Sequence, residues 1–180
     1  MKIIKKNKFS LFILLVLGVL SSCKNQTTTT NRMTDQEINE HLTNVNKIRV
    51  QKESQQIDDF VNRHQLKVER TGTGLRIQKY VSVKQVLNPV AHSLATVGYK
   101  VYLLDGTMCY SSDSTGLISF RLSEGQEARG MEEGLMMMSP GEKAYLVVPM
   151  HLAYGLSGDG NKIPPGSALY MDVELINFEK

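Results

Sequence analysis

Cys23 is the residue whose setting most plainly calls for covalent chemistry. It closes the run Leu20-Ser21-Ser22-Cys23, an apolar residue and two small ones before a thiol. This looks like a lipobox. A signal peptidase needs small residues there to bring the backbone close to its catalytic groups, and the sulfur then carries the lipid. The upstream residues agree. Lys2, Lys5, Lys6 and Lys8 make a basic start, and Phe9 to Leu20 is apolar apart from Ser10 and Gly18. That run is shorter than the about 20 apolar residues of a spanning helix and fits the core of a secretory signal. Residues 1–22 are therefore expected to be removed and Cys23 to be acylated. The chain would then be anchored to a membrane rather than threaded through it. Its expected place is the cell envelope, facing the periplasm.

Other reactive residue types offer less. His41, His64, His92 and His151 show no ligand spacing. Met136-Met137-Met138 are consecutive positions of a helix and face different ways, which suits packing better than a soft-metal site. There is no phosphate loop, no zinc pattern and no triad, so no metal and no cofactor are expected. With Cys23 acylated, Cys109 lacks an intrachain partner and reads as a buried small hydrophobe. The four signal lysines account for the formal charge of +3. Without them, 17 basic residues face 18 acidic ones, about −1 overall. That balance does not point to nucleic acid. With 41% hydrophobic and 22% charged residues, the composition is that of a globular chain.

The elements that must carry any site follow from periodicity. Residues 23–33 are polar and of low complexity, a tether. Residues 34–66 read as a helical segment, one long helix or two shorter ones. Thr34 and Glu37 form a capping-box pattern, and Ile38, Leu42, Val45 and Ile48 recur at helical spacing. Ile57, Phe60 and Val61 make a second stripe beyond a polar stretch from Arg49 to Gln56. These stripes pack on the chain's own domain or serve as a spacer; the alternative is a homodimer through this helix. From residue 70 to 180 the pattern is strand-rich. Ala95, Val97, Tyr99, Val101 and Leu103 alternate, as do Ile118, Phe120 and Leu122, and again Leu169, Met171, Val173 and Leu175. Asp105-Gly106 predicts a type I′ hairpin turn. Met131 to Met138 is the one short helix, with Glu132 and Glu133 in its first turn where the helix dipole favours anions. The expected fold class is α+β, an antiparallel sheet wrapped around one short helix and preceded by the N-terminal helical segment.

The most specific signal is a series of short motifs in fixed order. Gly130-x-x-x-Gly134-Leu135 leads to Met138-x-Pro140-Gly141-Glu142. Then come Pro149, Leu152-Ala153-Tyr154-Gly155, Ile163-Pro164-Pro165 and Asp172-Val173-Glu174-Leu175. With Asp105-Gly106 and Ser111-Ser112, this set resembles the FKBP-type peptidyl-prolyl cis-trans isomerases over about residues 72–180. Together with the lipobox and helical lead-in, the chain is similar to the gliding-motility-associated FKBP lipoproteins of Bacteroidetes.

The resemblance implies a proline-binding pocket. Tyr154 would bond the substrate carbonyl, with Tyr99 as the second catalytic residue. Phe120 and Ile163 would line the pocket, and the Ala128 N–H would be a backbone donor. Met131 stands where the family has an aromatic floor. Ile118 and Met171 replace further rings, and Tyr110 follows Cys109 where the family has an aromatic residue and an acid. Glu127-Ala128 replaces an apolar pair. The implied partners are proline-containing polypeptide clients, reached without nucleophile, metal or cofactor. A non-catalytic chaperone or assembly factor on the same fold is the second reading.

Overall fold

A computed structural model of the chain describes residues 34–84 and 86–180. The signal, Cys23 and the tether lie outside the described residues. Helix α1 spans Asp35–Arg63 without a break. Its start carries the expected reciprocal cap: Glu37 N–H donates to Thr34 Oγ1 at 3.3 Å, and Thr34 N–H donates to Glu37 Oε2 at 2.7 Å. The two apolar stripes differ in fate. Ile57 and Phe60 are buried against Val147 of the sheet, whereas Ile38, Leu42, Val45 and Ile48 stay exposed.

The strands are β1 (Glu69–Arg70), β2 (Arg76–Val81), β3 (Leu94–Leu103), β4 (Met108–Ser111), β5 (Ile118–Arg121), β6 (Lys143–Val148) and β7 (Leu169–Glu179). They form one antiparallel sheet in the order β1-β2-β6-β7-β3-β4, with β5 also pairing β3. Register assigns the faces, because residues directly opposite point the same way. Leu146 and Val101 both oppose Met171, Tyr110 opposes Val101, and Ile118 opposes Val97. These residues and Phe120 therefore share one face with Val148, Leu169 and Val173. The opposite face presents Tyr80, Tyr145 and Tyr170 beside Val147, and Phe60 of α1 lies 5.2 Å from the Tyr170 ring.

On the first face lies helix α3 (Arg129–Met136), preceded in the chain by a short helix α2 (Ser112–Thr115) that periodicity does not foretell. Two glycines one turn apart let α3 sit directly on β6. A Cβ at Gly130 would stand 2.3 Å from Val148 Cγ1, and one at Gly134 would stand 2.7 Å from Leu146 Cδ1. Glu132 lies in the first turn of α3, as expected, whereas Glu133 falls beyond it. Glu132 is 5% exposed, Oε2 accepts Ser123 N–H, and Oε1 is buried without a partner among the described residues. The Asp105-Gly106 turn also differs from expectation. Only Gly106 has positive φ, +93°, and its N–H donates to Leu103 O at 3.0 Å. Leu104 and Asp105 therefore form an ordinary turn followed by a glycine bulge, because Asp105 Oδ1 takes the Thr107 N–H and holds its own backbone out of the left-handed region.

The close approach sets a mutational expectation. Gly130→Ala should destabilise the fold by about 1–3 kcal/mol, since Val148 must move to admit the methyl. A urea midpoint unchanged from wild type would contradict this packing.

Candidate functional site

The face that carries α3 gathers the residues singled out from the sequence. Phe120, Ala128, Met131, Ile163 and Met171 belong to one buried hydrophobic cluster with Val101, Leu152 and Cys109. Tyr99, Tyr110, Ile118 and Tyr154 are half-buried and pack against the same cluster. They arrive on several different elements. Tyr99 is on β3, Tyr110 on β4, Ile118 and Phe120 on β5, and Met171 on β7. Met131 is in the first turn of α3, and Ala128 is its N-cap.

Tyr154 follows the 3-10 turn Met150–Leu152 at the end of β6. Its hydroxyl has no hydrogen-bond partner among the described residues and is not sealed from solvent. Burial pushes the phenol up to about 12, and the nearby charges of Glu127 and Asp159 add to the shift. The group therefore stays a neutral donor throughout the physiological range. The Ala128 carbonyl accepts from Met131 at 2.8 Å and Glu132 at 3.2 Å, while the Ala128 N–H donates to no described acceptor. Two donors, Tyr154 O–H and Ala128 N–H, thus border an apolar cluster. Tyr99 is engaged differently: its hydroxyl lies 3.1 Å from Thr115 Oγ1, and its N–H donates to Ser112 Oγ at 3.0 Å. The side chain is braced on α2.

The loop from Gly155 to Gly166 covers one end of the cluster and is organised by Asp159, which periodicity alone does not single out. Asp159 Oδ1 accepts the N–H groups of Asn161 at 2.9 Å and Ile163 at 2.8 Å, and Oδ2 accepts the Tyr110 hydroxyl. Burial alone would raise the Asp159 carboxyl, but these three donors outweigh it and hold it below the usual range. Gly158, at φ +68°, is needed because a Cβ there would stand 2.3 Å from the Ile163 carbonyl oxygen. The Gly158-Asp159-Gly160-Asn161 cluster does signal a turn. Its tie to Tyr110, 49 residues earlier, is visible only in three dimensions. Lys162 Nζ lies 5.2 Å from the centre of the Tyr110 ring, so this tyrosine is held by both an anion and a cation.

A family model described as FKBP-type peptidyl-prolyl cis-trans isomerase matches residues 87–176. The chain belongs to this family. It is 41% identical over 85 residues to FK506-binding protein 2 of Yarrowia lipolytica, a match covering 47% of this chain and 59% of that protein. It is 36% identical over 114 residues to a probable FKBP-type isomerase, FkpA, of Neisseria meningitidis, covering 62% of this chain and 40% of that one. The chain thus spans less than two thirds of the length of these two relatives. The crystal structure of FkpA from Escherichia coli superposes with a TM-score of 0.63 at 29% identity, over 98% of this chain and 84% of that one.

Within this FKBP-type scaffold Glu127 directly precedes Ala128 of the apolar cluster. It is half-buried, and burial, then the Glu132 charge, raise its carboxyl. Its folded pKa lies above the unfolded one, so the folded state holds the proton more tightly. Stability is full below the unfolded pKa and falls as pH rises through the folded pKa. Glu127→Gln should therefore raise the melting temperature at pH 7.5, with the gain shrinking toward pH 4. A gain that is independent of pH, or a loss at pH 7.5, would contradict the assignment.

Proposed function

We propose that the protein is a prolyl cis-trans isomerase, lipid-anchored at Cys23 in the cell envelope, acting on proline-containing exported polypeptides. The observation that carries the reading is the pair of unengaged donors, Tyr154 O–H and Ala128 N–H, beside the buried cluster of Phe120, Met131, Ile163 and Met171. The chemistry follows from the amide. Its planar form is held by resonance, with a rotation barrier of about 18–20 kcal/mol. An Xaa-Pro bond has only a small trans preference but exchanges over tens to hundreds of seconds. Water supports the charge separation of the planar form. A dry pocket around the proline ring withdraws that support and favours the twisted, less polar amide. Donors placed for the twisted carbonyl add to the difference, and each 1.36 kcal/mol or so of differential stabilisation is tenfold in rate.

Methionine at positions 131 and 171 keeps the pocket apolar but shapes it less rigidly than rings would. Modest rates are the expected consequence. The narrower likeness to gliding-motility lipoproteins extends the proposal to clients among envelope machinery of that kind. A second reading is supported by the exposed stripe Ile38, Leu42, Val45 and Ile48 on α1. Such a stripe suits a chaperone that grips clients, or a second copy of the chain, without turning the bond.

A protease-free isomerisation assay on Xaa-Pro peptides decides between them. The full chain in detergent should accelerate exchange. Tyr154→Phe should lower kcat/KM about three- to tenfold, the worth of one hydrogen bond of about 0.5–1.5 kcal/mol. No acceleration at high protein concentration, with aggregation of a client still suppressed, would favour the second reading. The anchor is tested by fatty-acid labelling: Cys23→Ser should abolish incorporation of labelled palmitate into the chain. Undiminished incorporation would contradict acylation at that residue.

A further inference from the structure

We propose that Glu53 of α1 is a positioning residue for Tyr154, so that the N-terminal helix is part of the isomerase site although it lies outside the family-matched residues 87–176. The proposal rests on the isomerase reading and concerns how its hydroxyl donor is held.

The geometry forms a short chain of contacts. Glu53 is 7% exposed, and its Oε1 accepts the backbone N–H of Met150, 97 residues away. Met150 opens the 3-10 turn, so its N–H has no partner within that turn. The Met150 carbonyl accepts from the N–H groups of Ala153 at 3.1 Å and Gly155 at 2.9 Å. Those are the two residues flanking Tyr154. The backbone carrying the hydroxyl donor is therefore wrapped around one residue, and that residue is held by a carboxylate from α1. Gly155, at φ +62°, then reverses the chain, and its carbonyl accepts from Gly166 N–H at 2.9 Å to close the loop.

The helix is itself fixed well enough to act as a reference. Arg76, 3% exposed, pairs with Asp58 at 2.6 Å and also donates to Ser54 Oγ at 3.3 Å and Gly74 O at 3.0 Å. Ile57 and Phe60 are buried against Val147, which is the residue before Val148 at the end of β6. The strand that leads into the Tyr154 turn is thus gripped from α1 at two points, by apolar contact at Val147 and by the carboxylate at Met150. A second brace from outside the turn is His151 Nε2, 3.0 Å from Thr73 O. A charged acceptor on a backbone N–H makes a short, strong hydrogen bond. Its loss leaves the Met150 N–H unpaired and frees the turn to shift, and small misplacements of a group in a reacting site carry large rate penalties.

The test is a double-mutant cycle in the full chain, read as kcat/KM for an Xaa-Pro peptide. Glu53→Leu should lower kcat/KM about three- to tenfold, no more than Tyr154→Phe does, because the effect runs through that hydroxyl. In a Tyr154→Phe background Glu53→Leu should cause almost no further loss. Glu53→Gln keeps an acceptor oxygen and should recover most of the rate. An unchanged rate in Glu53→Leu, an equal loss in both backgrounds, or a Gln variant no better than Leu would overturn the proposal. Hydrogen exchange on the unmodified chain covers the case in which Glu53→Leu fails to fold. The Met150 amide should exchange as slowly as those of β6, and exchange within seconds would overturn the proposal. An inactive wild-type chain would sink the isomerase reading and this proposal with it, whereas an active wild type indifferent to Glu53 would overturn the proposal alone.

Discussion

The candidate site depends on how closely α3 approaches β6. Gly130 and Gly134 remove the two side chains that would keep helix and strand apart, and Val148 and Leu146 occupy the space. That contact places Met131 within the apolar cluster and fixes where the helix begins. It therefore also fixes the Ala128 N–H. A methyl at either glycine would push the helix off the sheet and move both groups together. The apolar cluster is in this sense a by-product of one interface, made from small residues on one side and branched ones on the other.

Polar groups then fasten the ends that apolar packing leaves loose. Glu142, 3% exposed, accepts Ser139 N–H at 2.9 Å and Lys79 Nζ at 2.9 Å, and its other oxygen takes Val83 N–H at 3.3 Å. Burial would raise this carboxyl, yet the lysine and the backbone donors hold it below the usual range. It ties the turn after α3 to β2 and to the segment that follows it. Asp159 does the same for the loop over Ile163, and Glu53 for the turn that carries Tyr154. Each is an acid whose acceptor oxygens meet backbone N–H groups that no helix or strand satisfies. The hydroxyl of Tyr154 and the N–H of Ala128 are left out of this system and have no hydrogen-bond partner among the described residues.

Much of this was legible in the residues because local rules and the global fold agree. Alternation along Ala95 to Leu103 and Leu169 to Leu175 fixes which side chains share a face. The Thr34 and Glu37 pair marks the start of α1. What was not legible depends on partners far apart in the chain. Glu132 is the first-turn acid that its position announces, but its burial against Ser123 is not announced. Asp159 looks like a turn residue until Tyr110 is brought to it. Glu53 sits in a stretch that reads as solvated helix surface, and only the docking of Ile57 and Phe60 turns it toward Met150. Asp105-Gly106 carries the signature of one turn type and adopts another, because a side-chain oxygen competes for the backbone.

The central claim is that a proline-containing peptide binds on the α3 face of the sheet, between Tyr154 and Met131. The most direct measurement is a peptide titration followed by amide chemical shifts in an isotope-labelled chain. The account predicts the largest shifts at Ala128, Tyr154 and Ile163, with Tyr80, Tyr145 and Tyr170 on the other face little changed. Shifts concentrated on that other face or along α1, or none at millimolar peptide, would contradict it.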